Sequence, residues 1–312
     1  MEIVLNILLL IVGFALLAKG ADFFVDGASN IARKLKIPQI VIGLTIVAMG
    51  TSAPEAAVSI SAALKGNAEI TIGNIVGSNI LNILIILGLS ALIAPLVVKK
   101  STAYIDMPVV IISSIVLLLL GLDKTISLLD GIILIAMFIS YLTYLFIVTK
   151  KDNIETKTED ATENNINVIK AIIFALIGLG AIILGSNISV EAATSIAKEL
   201  GVSDRFIGLT IVALGTSLPE LFTSVSASIK KNSDIAIGNI VGSNIFNILF
   251  IVGTSSLITP VAYQPNFIVD TLIAIASVIL LLLFCLKNKK LGRIGGITLL
   301  VGYALYFIYL LV

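Results

Sequence analysis

The sequence predicts an all-α integral membrane protein with ten transmembrane helices, arranged as two inverted-topology repeats of five helices. The first observation is composition: 58% of the 312 residues are hydrophobic and 12% are charged, whereas soluble domains have about 45–50% apolar and about 25% charged residues. The second is ten apolar stretches of about 20 residues, the length that spans a bilayer. The third is a passage that occurs twice, because residues 42–88 and 207–253 are identical at about two thirds of their positions.

The ten apolar stretches divide equally between the two halves of the chain. Because five is an odd number, the second half must enter the membrane from the opposite side, which makes the repeats inverted. We predict a first repeat at residues 1–149, a linker at 150–166 and a second repeat at 167–312, together forming one transmembrane domain. The linker is polar and acidic, which indicates a flexible segment. The predicted spans lie near residues 3–20, 38–64, 70–97, 103–121, 127–149, 168–188, 203–229, 235–260, 266–286 and 294–312.

Basic residues determine the predicted orientation. The connections that follow spans 1, 3, 5, 7 and 9 carry fifteen lysines and arginines, and the connections on the other side carry four. Cytoplasmic loops of membrane proteins are enriched in Lys and Arg. We therefore predict a multi-pass protein of the cell membrane whose two termini lie outside and whose central linker is cytoplasmic.

The composition excludes several kinds of partner and site. The net charge of +1 gives no indication of a nucleic-acid partner, so the expected partners are ions and the lipid bilayer. Cys285 is the single cysteine, which rules out an intrachain disulfide and a cysteine-based metal site. The chain has no histidine, the commonest metal ligand. Any cation site must therefore be built from oxygen atoms, and no cofactor is expected.

The first doubled phrase places a glutamate in an otherwise apolar helix. It reads IGLTIVAMGTSAPE at residues 42–55 and IGLTIVALGTSLPE at residues 207–220. Residues three, four and seven positions apart share one helix face, and a carboxylate within a membrane helix indicates a functional site. The shared face is predicted to carry Ala48, Thr51, Ser52 and Glu55 in the first repeat and Ala213, Thr216, Ser217 and Glu220 in the second.

A proline directly before each glutamate predicts a local break in these helices. Pro54 and Pro219 lack the N–H that would reach the carbonyls of Gly50 and Gly215. We therefore predict that the helix unwinds over residues 48–52 and turns carbonyl oxygens toward the glutamate. A membrane protein tolerates such backbone where it is covered by protein or lines an aqueous cavity.

The second doubled phrase adds amides and hydroxyls to the same region. It reads IGNIVGSNILNIL from residue 72 and IGNIVGSNIFNIL from residue 237. Two inverted repeats bring four polar faces together near the midplane, and their oxygen atoms suit a hard cation such as calcium, or two or more sodium ions. Asn79 and Asn244 lie off this face and are expected to bond across helices. The polar face carries Asn74, Ser78 and Asn82, repeated by Asn239, Ser243 and Asn247.

The motifs GTSAPE with GSNILN, and GTSLPE with GSNIFN, resemble the paired alpha-repeats of the sodium/calcium exchanger family, prokaryotic type, in the cation/calcium antiporter superfamily. The resemblance implies that the first and sixth spans form a long pair that slides against the rest. Asn82 and Asn247 are predicted to line the site. The resemblance further implies calcium binding by the carboxylates of Glu55 and Glu220 and the carbonyls of Thr51 and Thr216, and sodium binding by Ser52, Ser78, Ser217, Ser243 and the carbonyls of Ala48 and Ala213.

We predict a secondary antiporter, not an enzyme, that exchanges sodium for calcium across the membrane by alternating access. The ions are expected to bind at the repeat interface near the midplane, and the protein is expected to function as a monomer. Relatives that depend on potassium have an aspartate at one of the positions of Asn82 and Asn247, and proton/calcium relatives have a histidine near the glutamate. This chain has amides at both positions and no histidine. Potassium-dependent and proton-coupled exchange are alternatives, and a cation channel is a third.

The remaining acidic residues lie near the ends of the predicted spans. We predict that Asp22, Asp106, Asp130 and Asp270 are solvated or cap helices. The same applies to Asp26, but this residue matches Glu191 across the repeats. That match leaves open a role for both at the mouth of an ion path.

Overall fold

The computed structural model describes residues 2–66, 68–155, 167–201 and 213–311, and nearly all of these residues are helical. Short π-helical segments lie at Gly43–Val47, Asn82–Ile86, Thr102–Asp106 and Asn247–Val252, and a 3-10 turn at Gly121–Asp123. The α-helices are α1 (Glu2–Lys34), α2 (Gln39–Ile42), α3 (Ala48–Thr51), α4 (Ala53–Leu64), α5 (Glu69–Leu81), α6 (Leu87–Ile93), α7 (Met107–Leu120), α8 (Leu128–Glu155), α9 (Val168–Glu199), α10 (Ala213–Thr216), α11 (Leu218–Ile229), α12 (Ser233–Phe246), α13 (Gly253–Ile258), α14 (Asn266–Asn288) and α15 (Arg293–Leu311).

The described helices account for nine of the ten predicted spans. Eight helices are long and apolar enough to cross a membrane, and a ninth span is formed by the pair Gln39–Thr51 and Ala53–Leu64, which is bent by 51°. The predicted span at 203–229 is described only from residue 213, because residues 202–212 lie outside the described part of the chain. A helical protein with many membrane spans is therefore confirmed, whereas the count of ten stays a prediction.

The second doubled phrase forms the centre of the molecule. The apolar window of Ser233–Ile258 is 94% buried and that of Ile70–Ile93 is 78% buried, whereas the other spanning helices have windows that are 17–39% buried. A helix buried all round belongs to a protein core even when the solvent is lipid. The polar residues of this phrase are therefore held inside the protein, and the remaining helices surround them.

The two long helices α1 and α9 pack against each other through their backbones. They contain 33 and 32 residues, or roughly 50 Å of helix, well beyond the ~30 Å bilayer core. A Cβ atom at Gly20 would lie 2.8 Å from the Gly178 carbonyl oxygen, and one at Gly13 would lie 3.0 Å from that of Gly185. Small residues permit such close contact between membrane helices. Helices α1 and α9, the first and sixth spans, therefore form one closely packed antiparallel pair.

Two short antiparallel ladders join the repeats. Strands β1 (Leu96–Val97) and β4 (Lys290–Leu291) pair with each other, as do β2 (Thr125–Ile126) and β3 (Val261–Ala262). Each ladder contains one strand from each half of the chain, so the two halves are connected at both faces. Helix α8 continues to Glu155, so the first residues of the predicted linker at 150–166 are helical, and residues 156–166 lie outside the described range.

The prediction that Asp106 is solvated or caps a helix is wrong, whereas Asp270 is half-buried. Asp106 is 3% exposed and accepts a hydrogen bond from the Tyr141 hydroxyl at 3.0 Å. Asp270 accepts one from the Tyr306 hydroxyl at 3.1 Å. A buried carboxylate needs such a partner, and each tyrosine comes from the next helix along the chain. Asp130 does cap a helix start, because it accepts from the backbone N–H and the hydroxyl of Ser127.

Candidate cation-binding site

Pro54 and Pro219 each lie in the first turn of a helix that follows a one-residue break. Ser52 has φ −82° and ψ 9°, and Ser217 has φ −89° and ψ 2°, between the short helices α3 and α10 and their successors α4 and α11. Proline is tolerated in the first turn of a helix. The predicted unwinding over residues 48–52 is too wide, because residues 48–51 stay helical and the Ser52 N–H still donates to the Ala48 carbonyl at 3.0 Å.

The break places both glutamates in the first turn of a helix. Glu55 lies in the first turn of α4 and Glu220 in the first turn of α11. Helix N-termini favour negative charge, since their N–H groups and the helix dipole point toward it. The carbonyl of Gly215, which loses its helical partner to Pro219, accepts a hydrogen bond from the Ser186 hydroxyl of α9 at 2.7 Å. The sequence analysis missed Ser186, which belongs to no repeated motif.

The two glutamates face one centre because each contacts a serine of the other repeat. Glu55 is 1% exposed and Glu220 is 0% exposed. The Ser52 hydroxyl donates to Glu220 Oε1 at 2.7 Å, and the Ser217 hydroxyl donates to Glu55 Oε1 at 3.5 Å. The Ser217 hydroxyl also lies 3.4 Å from that of Ser78. Since Ser52 and Glu55 share a phrase, this crossed arrangement brings both carboxylates together.

Further predicted residues contact the same region. The Thr51 hydroxyl donates to Asn239 Oδ1 at 2.9 Å and to the Ala48 carbonyl at 3.2 Å. The Ser243 hydroxyl reaches the same Ala48 carbonyl at 3.4 Å. Thr216 is half-buried in the second repeat. Ala213 is the first residue of α10, and its side chain lies outside the described part of the chain.

Asn74 and Asn239 support the backbone of the glutamates. The Asn74 amide group donates to the Ser59 hydroxyl at 2.9 Å and to the Glu55 carbonyl at 3.4 Å. The Asn239 amide group makes the equivalent contacts, to the Ser224 hydroxyl at 3.0 Å and the Glu220 carbonyl at 3.4 Å. These asparagines therefore hold the helix turns that carry the two glutamates, and in this way they orient the carboxylates.

Four asparagines connect the central helices of the two repeats. Asn79 Nδ2 donates to the Asn244 carbonyl and Asn244 Nδ2 donates to the Asn79 carbonyl, both at 3.2 Å. Asn82 Nδ2 donates to Asn244 Oδ1 at 2.9 Å, and Asn247 Nδ2 donates to Asn79 Oδ1 at 3.0 Å. The prediction that Asn79 and Asn244 bond across helices is confirmed. Their partners turn out to be each other and the asparagines of the predicted site face.

This arrangement leaves four buried oxygen atoms without a hydrogen-bond donor among the described residues. They are Oε2 of Glu55 and Glu220 and Oδ1 of Asn82 and Asn247. Unpaired buried acceptors are rare, and an ion missing from the structure is one explanation for them. Carboxylate and amide oxygens are the ligands that hard cations take. In the described ranges no three residues among His, Cys, Asp and Glu group together, so the site would combine two carboxylates with neutral oxygens.

A cavity reaches this site from one face of the protein. Its volume is about 500 Å³, and its lining includes Pro54, Gly215 and Thr216 beside the helix breaks. A second cavity, of about 700 Å³, opens on the opposite face between α1 and the residues after α11. None of the predicted site residues lines the second cavity. Of these two cavities, the one of about 500 Å³ borders the site within the described ranges.

The asparagine contacts predict a loss of stability when Asn79 is replaced by alanine. The change leaves the Asn244 carbonyl and Asn247 Nδ2 buried without these partners, at a cost of about 1–3 kcal/mol. We expect the thermal midpoint of the purified protein to fall by roughly 2–5 °C. Asn30→Ala is the control, because Asn30 only accepts a bond from Arg33 at the surface. Equal midpoints for the two variants would show that the asparagine contacts contribute little.

Comparisons with known proteins agree on one family. The family described as "Sodium/calcium exchanger protein" matches residues 5–147 and 170–312. The chain is 37% identical to the "Putative antiporter CaxA" of Alkalimonas amylolytica, over 95% of each chain. It is 32% identical to the "Sodium/calcium exchanger MaX1" of Methanosarcina acetivorans, over 99% of each chain. A solved structure of the sodium-calcium exchanger NCX_Mj soaked with 10 mM Na⁺ superimposes with a TM-score of 0.86 at 34% identity, covering 98% of this chain and 99% of that one.

Proposed function

Because the chain belongs to the family of sodium/calcium exchanger proteins, we propose that it exchanges sodium for calcium by alternating access. As a member of this family it is a multi-pass membrane protein and a cation/calcium antiporter, and it is not an enzyme. The predictions of calcium and sodium transport and of no cofactor are thereby confirmed for the family. The coupling of these two ions in this chain, and the residues that bind them, are the proposal.

The observation that carries the proposal is the set of four unpaired oxygens at the centre. Glu55, Glu220, Asn82 and Asn247 each direct one buried oxygen that lacks a donor among the described residues. We assign calcium to this set together with the carbonyls of Thr51 and Thr216. We assign sodium to the surrounding hydroxyls and carbonyls of Ser52, Ser78, Ser217, Ser243, Ala48 and Ala213.

The charge of the site explains why two kinds of cation would exclude each other. Glu55 and Glu220 supply a formal charge of −2, which one calcium ion or two sodium ions neutralise. An empty pair of buried carboxylates is costly, since each has lost its water. The site therefore favours being occupied, and each occupant must be displaced by the other. Such competition couples the two fluxes when the site opens to one face at a time.

The repeat organisation supports function as a monomer in the bilayer. We propose the repeats at residues 1–149 and 167–312 as one transmembrane unit, because both contribute ligands to the one central site. We place the linker at 150–166 in the cytoplasm and both termini outside, because the connections on the linker's side carry fifteen basic residues and those on the other side carry four. The cavity of about 500 Å³ then faces outward, and the cavity of about 700 Å³ faces the cytoplasm.

The composition of the site favours sodium over the alternative ions. Asn82 and Asn247 are both amides, whereas the potassium-dependent pattern has an aspartate at one of these positions. Proton coupling through a histidine is excluded because the chain has none. A channel is disfavoured because filters are commonly built around an axis shared by several subunits, whereas this site lies between two halves of one chain.

Calcium uptake into proteoliposomes tests the function. We expect vesicles loaded with sodium to accumulate radioactive calcium when diluted into sodium-free buffer, and we expect the rate to saturate with calcium. Vesicles loaded with choline are the control and should show little uptake, because choline cannot replace sodium at an oxygen site. Uptake that does not saturate, or that is equal in both kinds of vesicle, would indicate a channel. Equal uptake with potassium or a proton gradient in place of sodium would favour the other exchangers.

A further inference from the structure

Two carboxylates and two lysines occupy equivalent positions of the repeats, outside the binding site. Asp26 on α1 matches Glu191 on α9, and Lys230 after α11 matches Lys65 after α4, each at an offset of 165 residues. Because the repeats are inverted, Asp26 and Lys230 lie at one face of the membrane and Glu191 and Lys65 at the other. The lysine of each pair belongs to the glutamate-bearing helix, and the carboxylate belongs to the long helix pair.

On the first face the pair is formed. Lys230 Nζ lies 2.7 Å from Asp26 Oδ1 and 3.7 Å from Asp22 Oδ1, and it donates to the Asp22 carbonyl at 2.8 Å. The Ser226 hydroxyl donates to Asp22 Oδ1 at 2.7 Å. These contacts join the end of α11 to α1. Asp26 and Lys230 line the cavity of about 700 Å³ that none of the predicted site residues lines.

Aromatic packing closes the same gap about two to three helical turns deeper. Phe222 of α11 stacks on Phe14 of α1, with ring centroids 6.0 Å apart. The residue equivalent to Phe222 in the first repeat is Ala57, which lines the open cavity on the other face. The gap between the glutamate helix and the long pair is therefore filled on one face and open on the other.

On the second face the equivalent pair is apart. Glu191 and Lys65 are both exposed, and neither forms an ion pair within the described part of the chain. Glu191 lines the cavity of about 500 Å³ together with Pro54 and Thr216, so its carboxylate lies on the path to the site. Asp22 has a neutral counterpart, Asn187, in the same cavity.

We propose that Asp26 and Glu191 are vestibule carboxylates, which attract the incoming cation at the mouth of each access path, and that Lys230 and Lys65 neutralise them when that path is closed. The inference rests on the proposed antiport function. In this structure Glu191 is available to ions and Asp26 is paired. When the site turns to the other face, Lys230 releases Asp26 and Lys65 pairs with Glu191. The attraction of each vestibule is therefore present only while its path leads to the site.

The charge dependence of this attraction gives a sharp kinetic test. In water, a carboxylate raises the local concentration of a divalent cation about 10 Å away roughly fourfold. It raises that of a monovalent cation at the same distance roughly twofold. We expect Glu191→Gln to raise the KM for calcium about fourfold and the inhibition constant of sodium about twofold, with kcat unchanged. Both differences should vanish near 1 M choline chloride, where screening acts within about 3 Å.

The assay requires one orientation of the protein. Vesicles are selected by an outward-facing tag after residue 312, which emerges on the face of Glu191 because α9 and α15 end on the same side. Glu199→Gln is the matched control, since Glu199 is an exposed acid at the end of the same helix and does not line the cavity. An unchanged calcium KM for Glu191→Gln, in vesicles where the wild-type protein transports, overturns this inference alone. Failure of the wild-type protein to transport calcium overturns the proposed function instead.

The closing role of Lys230 is tested without transport. In a Cys285→Ser background, a cysteine at Ala57 reports the open cavity through its rate of labelling by a water-soluble maleimide. Loss of an exposed ion pair shifts an equilibrium roughly two- to fivefold, so we expect Lys230→Gln to slow labelling by up to about that factor. Lys231→Gln is the control, because the neighbouring Lys231 forms no ion pair within the described ranges. Equal labelling rates in the two variants would show that the ion pair of Lys230 with Asp26 does not hold its face of the protein closed.

Discussion

Replacing Glu55 or Glu220 by glutamine is expected to abolish calcium transport and leave the fold intact. Glutamine keeps the shape and one acceptor oxygen of the side chain but removes one of the two formal charges at the centre. At an effective dielectric constant of 20, two unit charges 4 Å apart interact by about 4 kcal/mol, and each 1.4 kcal/mol corresponds to a factor of ten in affinity. We therefore expect a loss of about 100-fold or more in calcium uptake.

Thermal melting with and without calcium distinguishes lost binding from lost folding. A ligand at 100 times its Kd stabilises a folded protein by about 2.7 kcal/mol, so calcium should raise the midpoint of the wild-type protein and not that of either glutamine variant. Asp106→Asn is the control, because Asp106 is a buried membrane carboxylate that contacts Tyr141 away from the site. If either glutamine variant transports calcium at the wild-type rate, the assignment of the site is wrong.

Replacing Gly178 by leucine is expected to separate the two long helices. A Cβ atom at Gly178 would lie 2.5 Å from the backbone nitrogen of Phe24 and 2.7 Å from the carbonyl oxygen of Gly20. Backbone atoms cannot swing aside as a side chain can, so α1 and α9 must move apart. Overpacking costs about 1–3 kcal/mol, and we expect the thermal midpoint to fall by roughly 2–5 °C, together with a loss of calcium uptake.

Gly180 provides the matched control for this substitution. It lies two residues further along α9, and a Cβ atom there would meet no heavy atom within 4 Å in the described part of the chain. Gly180→Leu adds the same side chain toward the lipid and gains up to about 0.8 kcal/mol of helix propensity. Its midpoint should equal or exceed that of the wild-type protein. A similar fall in both variants would mean that the helix contact is not the cause.

The features that follow from helix periodicity and span length could be predicted from the sequence. Ser52 and Glu55 share a helix face by their spacing alone, and the repeat supplies Ser217 and Glu220. An odd number of spans per repeat then requires inversion, which brings the two faces together. The structure adds the direction of the contacts, because each serine binds the glutamate of the other repeat.

Features that depend on how helices cross could not be predicted in the same way. Ser186 binds the Gly215 carbonyl from a helix that carries no repeated motif. Asp106 looked solvated because it lies near a span end, but Tyr141 of the neighbouring helix covers it. The break before Pro54 is narrow, since Ser52 keeps its helical hydrogen bond to Ala48. In each case a tertiary contact or one retained bond decided the outcome.

The contact between the backbones of α1 and α9 bears on how much uncoupled ion leak the protein would allow. The two helices cannot approach each other more closely, because Gly20 and Gly178 leave no gap between them, and we expect them to shift together. α1 packs on α11 at one face, through Phe14 and Phe222, and α9 lines the open cavity at the other. Under the proposed alternating access, we expect one displacement of the pair to narrow one passage as it widens the other. Under the proposed antiport, we therefore expect little uncoupled leak of ions and little loss of the energy stored in a sodium gradient.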